Sequence, residues 1–198
     1  MNTVQDWLST AVGWRWTSLL FQSPTAATHR DLRLLAAELP EAFRDAAHNL
    51  AAVSIEEWQS EFHRILGPGG CPATESSYDD NILAGRGPLL ADIAGFYEAF
   101  AYRPSPDSLE TPDHLANELG FASFLALKVA YALYVTGQQE KQIAEDAYWR
   151  FLETHLLFWS GRFCEKVTQT GSALYLEAAA LLSVWVKQQS ERELATTT

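Results

Sequence analysis

Hydrophobic and polar positions recur along the chain at three- and four-residue intervals, and the two-residue alternation of half-buried strands is nearly absent. Leu115, Leu119, Ala122, Leu125, Val129 and Leu133 follow one another at helical spacing up to Gly137. Tyr148, Leu152, Leu156, Trp159, Phe163 and Val167 make a second stripe, and a last helix is predicted from Ser172 to about Leu194. Punctuation of the same kind frames the earlier segments. Ser23-Pro24 reads as an N-cap with proline at the first helical position, opening a helix to about Leu39, after which Pro40 restarts the pattern. Ser54 and Glu57 form a capping box for a helix reaching Leu66, and Gly67-Pro68-Gly69-Gly70 stops it. An apolar helix is predicted from Leu89 to Tyr102. The expectation is an all-α protein, a single compact helical bundle of six to eight helices with no sheet.

Two segments interrupt the helices. Residues from Cys71 to about Gly87 are polar and contain glycine, which predicts a long loop of the kind that carries function. Pro104-Ser105-Pro106-Asp107-Ser108 is a Pro-rich hinge near the middle, held extended by its prolines. It joins halves 1–103 and 109–198 of one domain, the size of the chain fitting one domain better than two. Beyond it Thr111 is placed to cap a helix with Pro112 at its first position and Asp113 in its first turn.

Composition narrows the function. The 198 residues are 47% hydrophobic and include seven tryptophans, enough for a substantial core. The net charge of −11 repels phosphate backbones and anionic lipid, so nucleic acid is an unsuitable partner. The same field attracts a cationic peptide or a basic patch on another protein, although a solvated acidic face accounts for the charge equally well. Cys71 and Cys164 stand far apart without metal-ligand spacing, which excludes a zinc ribbon and a disulfide scaffold and fits a reducing compartment. Neither a basic segment ahead of an apolar run nor an 18-residue apolar stretch occurs. A cytoplasmic protein without stable membrane insertion is expected.

Enzyme classes fall away by their motifs. No phosphate-binding loop ends in Gly-Lys-Ser/Thr, and no pair of Glu-x-x-His motifs offers a di-iron site. Asp45 and His48 are the nearest approximation and read as a surface pair; Cys71, His63 and Cys164 lack a nucleophile signature. No catalytic residue and no metal ligand is assigned.

One cluster exceeds what a helix start requires. Glu110, Thr111, Pro112, Asp113 and His114, with Glu118 one turn on, bring three acidic groups and an imidazole to the junction of the halves. Asp113 serves either as a helix-dipole complement or as part of a recognition groove there. Glu75-Ser76-Ser77-Tyr78-Asp79-Asp80 either walls the same groove or is solvated.

These residues carry a resemblance. Arg15-Trp16-Thr17-Ser18-Leu19-Leu20-Phe21 followed by Pro24, Glu75-Ser76-Ser77-Tyr78 with Ala91 to Phe100, the run Pro112 to Phe121, and Phe151 to Leu156 with Trp159 and Phe163 are similar to motifs of the TorD/DmsD/NarJ family. The run from Pro112 is the most specific, though many members read Glu-Pro-x-Asp-His and here the proline comes one residue later. In overall character the variant resembles chaperones serving the dimethyl sulfide dehydrogenase, selenate reductase and ethylbenzene dehydrogenase group.

The resemblance implies a non-catalytic cytoplasmic chaperone. Its partner would be the catalytic subunit of a molybdenum oxidoreductase, bound as apo-protein through its twin-arginine signal peptide and held until molybdopterin cofactor is inserted before export. No tightly bound cofactor is implied, with molybdopterin or GTP at most a transient ligand, and the chaperone would be a monomer or weak homodimer. A twin-arginine peptide joins guanidinium groups to an apolar stretch, so its receptor needs convergent carboxylates beside aromatic walls. Glu110, Asp113 and Glu118 are candidates for the first, with Pro112 and His114 beside them; Tyr78, Phe96, Tyr97 and Trp159 are candidates for the second, although such aromatics more often belong to a core. The alternative class is a carrier or enzyme handling molybdopterin or GTP in the groove between the halves.

Overall fold

The computed structural model describes residues 3–79, 85–104 and 111–196, with side chains through 192. The linker from Ser105 and the candidate Glu110 lie outside the described residues. Nine α-helical segments are described: α1 (Val4–Leu20), α2 (Ala26–Ala36), α3 (Glu41–Ala52), α4 (Ile55–Leu66), α5 (Gly87–Ala99), α6 (Leu115–Tyr134), α7 (Gln138–Phe151), α8 (Leu157–Thr168) and α9 (Ala173–Thr196). A π-helical turn, Leu152–Leu156, runs directly from α7 into α8, so these make one rod, and eight rods result among the described residues. The stripe from Tyr148 to Val167 lies on this rod and is wholly buried. An isolated bridge between Thr74 and His114 is the sole β pairing among the described residues.

Several boundaries differ from the sequence expectation for local reasons. The cap of α2 is Thr25, two residues after Ser23, because Thr25 and Thr28 close a reciprocal capping box. Ser54 Oγ accepts from Glu57 N–H at 3.2 Å, yet the return bond from the Glu57 carboxylate is not made. α5 stops at Ala99, and Ala101 comes next but one, in the left-handed region at φ 54°. α6 begins at Leu115 with His114 as N-cap, so Thr111 does not cap it and Asp113 precedes it.

α1 and α6 form the spine. Ser18 Oγ donates to Ala116 O and Ser123 Oγ to Ala11 O, both at 2.8 Å, which sets the two helices antiparallel in matched register. Each is buried nearly all round: α1 by Trp7, Trp14, Trp16, Leu19 and Leu20, and α6 by nine consecutive buried residues from Leu115 to Ser123. Gly13 lets α9 approach, since a Cβ there would lie 2.1 Å from the Trp185 ring. Gly120 faces the Tyr102 hydroxyl in the same way, at 2.5 Å. Each large side chain removed from water here contributes roughly 1.5–3 kcal/mol. One hydrophobic core therefore draws on residues from both sides of positions 105–110. None of the described helices is long and apolar enough to cross a membrane.

Candidate functional site

Chain entry into α6 builds the site. After α4, residues 71–79 fold back along the start of α6 and do not run through solvent. Leu115 N–H donates to Ala73 O at 2.8 Å and Glu75 N–H to Asp113 O at 2.9 Å, so the two segments are joined by backbone bonds. Glu75 and Ser76 begin a 3-10 turn and are buried, as is Tyr78. Glu75, Ser76 and Tyr78 thus wall the cluster, whereas Ser77 is exposed and Asp80 lies outside the described residues.

Asp113 is wholly buried and fully engaged from within. Its Oδ2 accepts from Ser76 N–H at 3.2 Å and its Oδ1 from the Thr111 hydroxyl. Arg86, half-exposed at the start of α5, brings its guanidinium to 3.4 Å. Burial opposes ionisation of Asp113, but the bonds from Ser76 and Thr111 and the Arg86 charge outweigh it and hold the carboxyl below its ordinary range. His114 Nδ1 accepts from Ala116 N–H at 3.3 Å. Tyr97 donates its hydroxyl to Pro112 O and Asn117 its amide to Thr111 O, both at 2.9 Å, which pins the chain ahead of the helix.

Deeper in, Glu118 is also wholly buried. Its Oε2 accepts from Trp159 Nε1–H at 3.0 Å, while Oε1 has no hydrogen-bond partner. Burial, reinforced by the charge of Glu75, drives its carboxyl well above the ordinary range. Glu75 meets His155 Nδ1 at 3.1 Å. On the other edge of that ring, Nε2 lies 3.2 Å from the Asp92 carboxylate of α5 without being aligned to donate. His155 sits in the π turn, whose extra residue in the helix sets its ring between the two carboxylates. Trp159 stacks on Tyr78 with ring centroids 5.3 Å apart.

The structure therefore brings together Pro112, Asp113, His114, Glu118, Tyr78, Tyr97 and Trp159, but as a packed nest beneath α5. Asp113 and Glu118 do not line an open groove in this conformation, because α5 and residues 71–79 close over them. Glu75, which the sequence offers as a wall of the groove, completes the nest with Arg86, Asp92, Asn117 and His155, which sequence reasoning does not single out as site residues. The spacing of His155 and Trp159, one helical turn apart, is the available signal for His155. Arg86 and Asp92 join the nest only through the tertiary fold. Open grooves lie nearby, one of about 460 Å³ between α5 and α7 and a larger apolar one of about 980 Å³ along α6 and α7, lined in part by exposed Leu127, Tyr131 and Ile143. Among the described residues no group of three or more potential metal ligands occurs.

The nitrate reductase delta subunit family matches residues 21–165, a stretch that contains the whole nest. The chain belongs to that family. The resemblance carried by the Pro112 to Phe121 run is thereby borne out. The chain is 32% identical over 126 residues to the selenate reductase assembly chaperone protein of Thauera selenatis, covering 62% of this chain and 63% of that one. It is 30% identical over 128 residues to the chlorate reductase assembly chaperone protein of Ideonella dechloratans, covering 63% and 65%. The chain thus spans slightly less than two thirds of the length of these relatives. A proposed redox enzyme maturation protein from Archaeoglobus fulgidus shares the fold, with a TM-score of 0.58 over 91% of this chain and 93% of that chain at 18% identity.

Proposed function

We propose that the protein is a non-catalytic chaperone for the assembly of a molybdenum oxidoreductase, working in the cytoplasm on the catalytic subunit before export. It receives the subunit's twin-arginine signal peptide and holds the apo-subunit until molybdopterin cofactor is inserted. Family membership and the selenate and chlorate reductase assembly chaperones among its relatives support this reading. The observation that carries it at the level of residues is Asp113. A buried carboxylate kept ionised by a backbone N–H and a hydroxyl is a receptor for a guanidinium, and the aromatic rings around it suit the apolar residues that come after the arginines.

The test is a calorimetric titration with a synthetic peptide bearing two adjacent arginines ahead of an apolar stretch. Asp113→Asn is expected to weaken binding at least tenfold, about 1.4 kcal/mol, with the helical circular dichroism intact. Equal affinity in the variant would return Asp113 to a purely internal role.

A further inference from the structure

The guanidinium that Asp113 meets in this structure belongs to the chain itself. Arg86 reaches the carboxylate oxygens at 3.4 and 3.5 Å, whereas a well-seated charge-assisted bond is about 2.7–2.9 Å long. Its side chain is 52% exposed while that of Asp113 is 0% exposed, so a loosely held cation rests on a fully prepared anion.

The segment after Arg86 has the same character. Gly87-Pro88-Leu89-Leu90-Ala91 and then Ile93 and Phe96 make α5 an apolar helix headed by an arginine. Phe96 and Tyr97 lie against Phe121 at centroid separations of 6.5 and 4.8 Å, and Phe96 against Phe151 at 5.4 Å. Arginine and apolar face together cover the nest of Asp113, Glu75 and Glu118.

This cover is lightly fixed. Only Ile93 and Tyr97 of its thirteen residues are buried, against fourteen buried residues in α6. Among the described residues its polar ties to the rest of the chain are the long Arg86 contact, the misaligned Asp92 approach to His155, the Tyr97 hydroxyl on Pro112 O and the Arg150 guanidinium over the Phe96 ring.

We propose that α5 is an internal competitor of the client: Arg86 and the apolar face of α5 occupy the place of an arginine-headed apolar segment, and the client binds by displacing them. The proposal rests on the reading that Asp113 receives a client guanidinium. α5 keeps three buried carboxyl groups from solvent in the free protein and yields to a segment that satisfies Asp113 with a second arginine and a longer apolar face. Affinity for the client then depends on the fraction of molecules in which α5 has lifted.

The experiment uses the full chain and the diarginine peptide, with a control peptide in which both arginines are glutamine. Arg86→Gln is expected to bind the diarginine peptide roughly fivefold more tightly than wild type, since the open fraction rises. Arg86→Lys, which keeps the charge but not the planar fork, should fall between them. Amide hydrogen exchange should show α5 losing protection on peptide addition while α6 retains it. Unchanged or weaker binding by Arg86→Gln with circular dichroism intact, or protection of α5 maintained in the complex, overturns the competitor role. The two ideas fail differently. If Asp113→Asn weakens binding but Arg86→Gln does not tighten it, only the competitor role falls. If the glutamine peptide binds as well as the diarginine peptide and Asp113→Asn changes nothing, the guanidinium site falls and the competitor role with it.

Discussion

The middle and the N-terminal end of α6 are buried by opposite means. Toward its middle α6 is buried dry, with Phe121, Ala122, Leu125 and Ala126 fully buried and Ser123, on the α1 side, satisfied by the Ala11 carbonyl. At its N-terminus the same burial encloses Asp113, Glu118, Glu75 and His155, groups that water would solvate far better. The spine gains stability from every atom removed from water; the nest is maintained at a cost that the spine offsets. A segment designed only for stability would fill the nest with leucine. Under the proposed function these carboxyl groups are kept to meet a client arginine, at the place that α5 covers in this structure.

The spine is broken most severely at Phe121. Its ring is fully buried and touches Phe96, Tyr97, Tyr102, Phe124 and Phe151. Phe121→Ala is expected to lower the unfolding free energy by about 3–5 kcal/mol, measured by urea denaturation. A loss under about 1 kcal/mol would mean that the core collapses onto the vacancy and that the spine is not the rigid partner in the comparison. Gly13→Ala works by overpacking. The new Cβ meets Trp185, which is itself held edge-on by Trp14 at 6.1 Å and Phe43 at 5.3 Å, so the indole has little freedom to retreat. An expected loss of about 1–3 kcal/mol, read from the same denaturation curves, should leave peptide binding by the folded fraction unchanged.

This division also explains what is legible in the sequence. The rod from α7 to α8 shows one apolar stripe because only one of its faces is buried, and its six stripe residues all lie in the core. α1 shows no stripe because tryptophans and leucines surround it, and a helix buried all round has no polar face against which a period can be read. In the nest, Asp113, His114 and Glu118 are visible in the sequence as an unusual density of ionisable groups after a proline-rich stretch. Their burial is not, because exposure depends on α5 and residues 71–79 arriving from elsewhere in the chain. Glu75 and His155 meet at 3.1 Å across eighty positions, a pairing that no local pattern encodes.

Glu118 sharpens the comparison through pH. Its folded-state carboxyl titrates far above the unfolded one because burial and then the Glu75 charge disfavour the anion. Between the ordinary carboxyl range, near 4.5, and that raised value the folded protein holds a proton that the unfolded chain has released. Stability from this group is therefore fully present below the ordinary range and declines as pH rises, with a slope of at most about 1.4 kcal/mol per pH unit. Glu118→Gln keeps an acceptor for Trp159 Nε1–H and supplies a donor toward Glu75 without a titrating proton. Thermal unfolding of the variant between pH 5 and 8 should therefore show this decline removed and neutral-pH stability increased. A pH slope identical to wild type would show that Glu118 does not hold the proton and that the nest titrates elsewhere.

The smallest effect is expected at the cysteines, and its smallness is informative because both border the nest or its supporting rod. Cys71 is buried with its Sγ 3.7 Å from the Tyr78 hydroxyl, and burial pushes its thiol above the ordinary range. Cys164 lies on α8, where burial raises its thiol to about 11. Both are protonated thiols at neutral pH, poor nucleophiles and poor metal ligands, so they act as small packing groups. Replacing both by serine puts two hydroxyls in their place at a cost on the order of 1 kcal/mol each in stability. Affinity for the diarginine peptide should stay within about twofold of wild type, which is under 0.5 kcal/mol, because neither sulfur touches Asp113, Arg86 or the face that α5 covers. A tenfold loss of affinity with the helical signal intact would place a thiol in recognition, and the recognition surface would then reach beyond Asp113, Arg86 and the face that α5 covers.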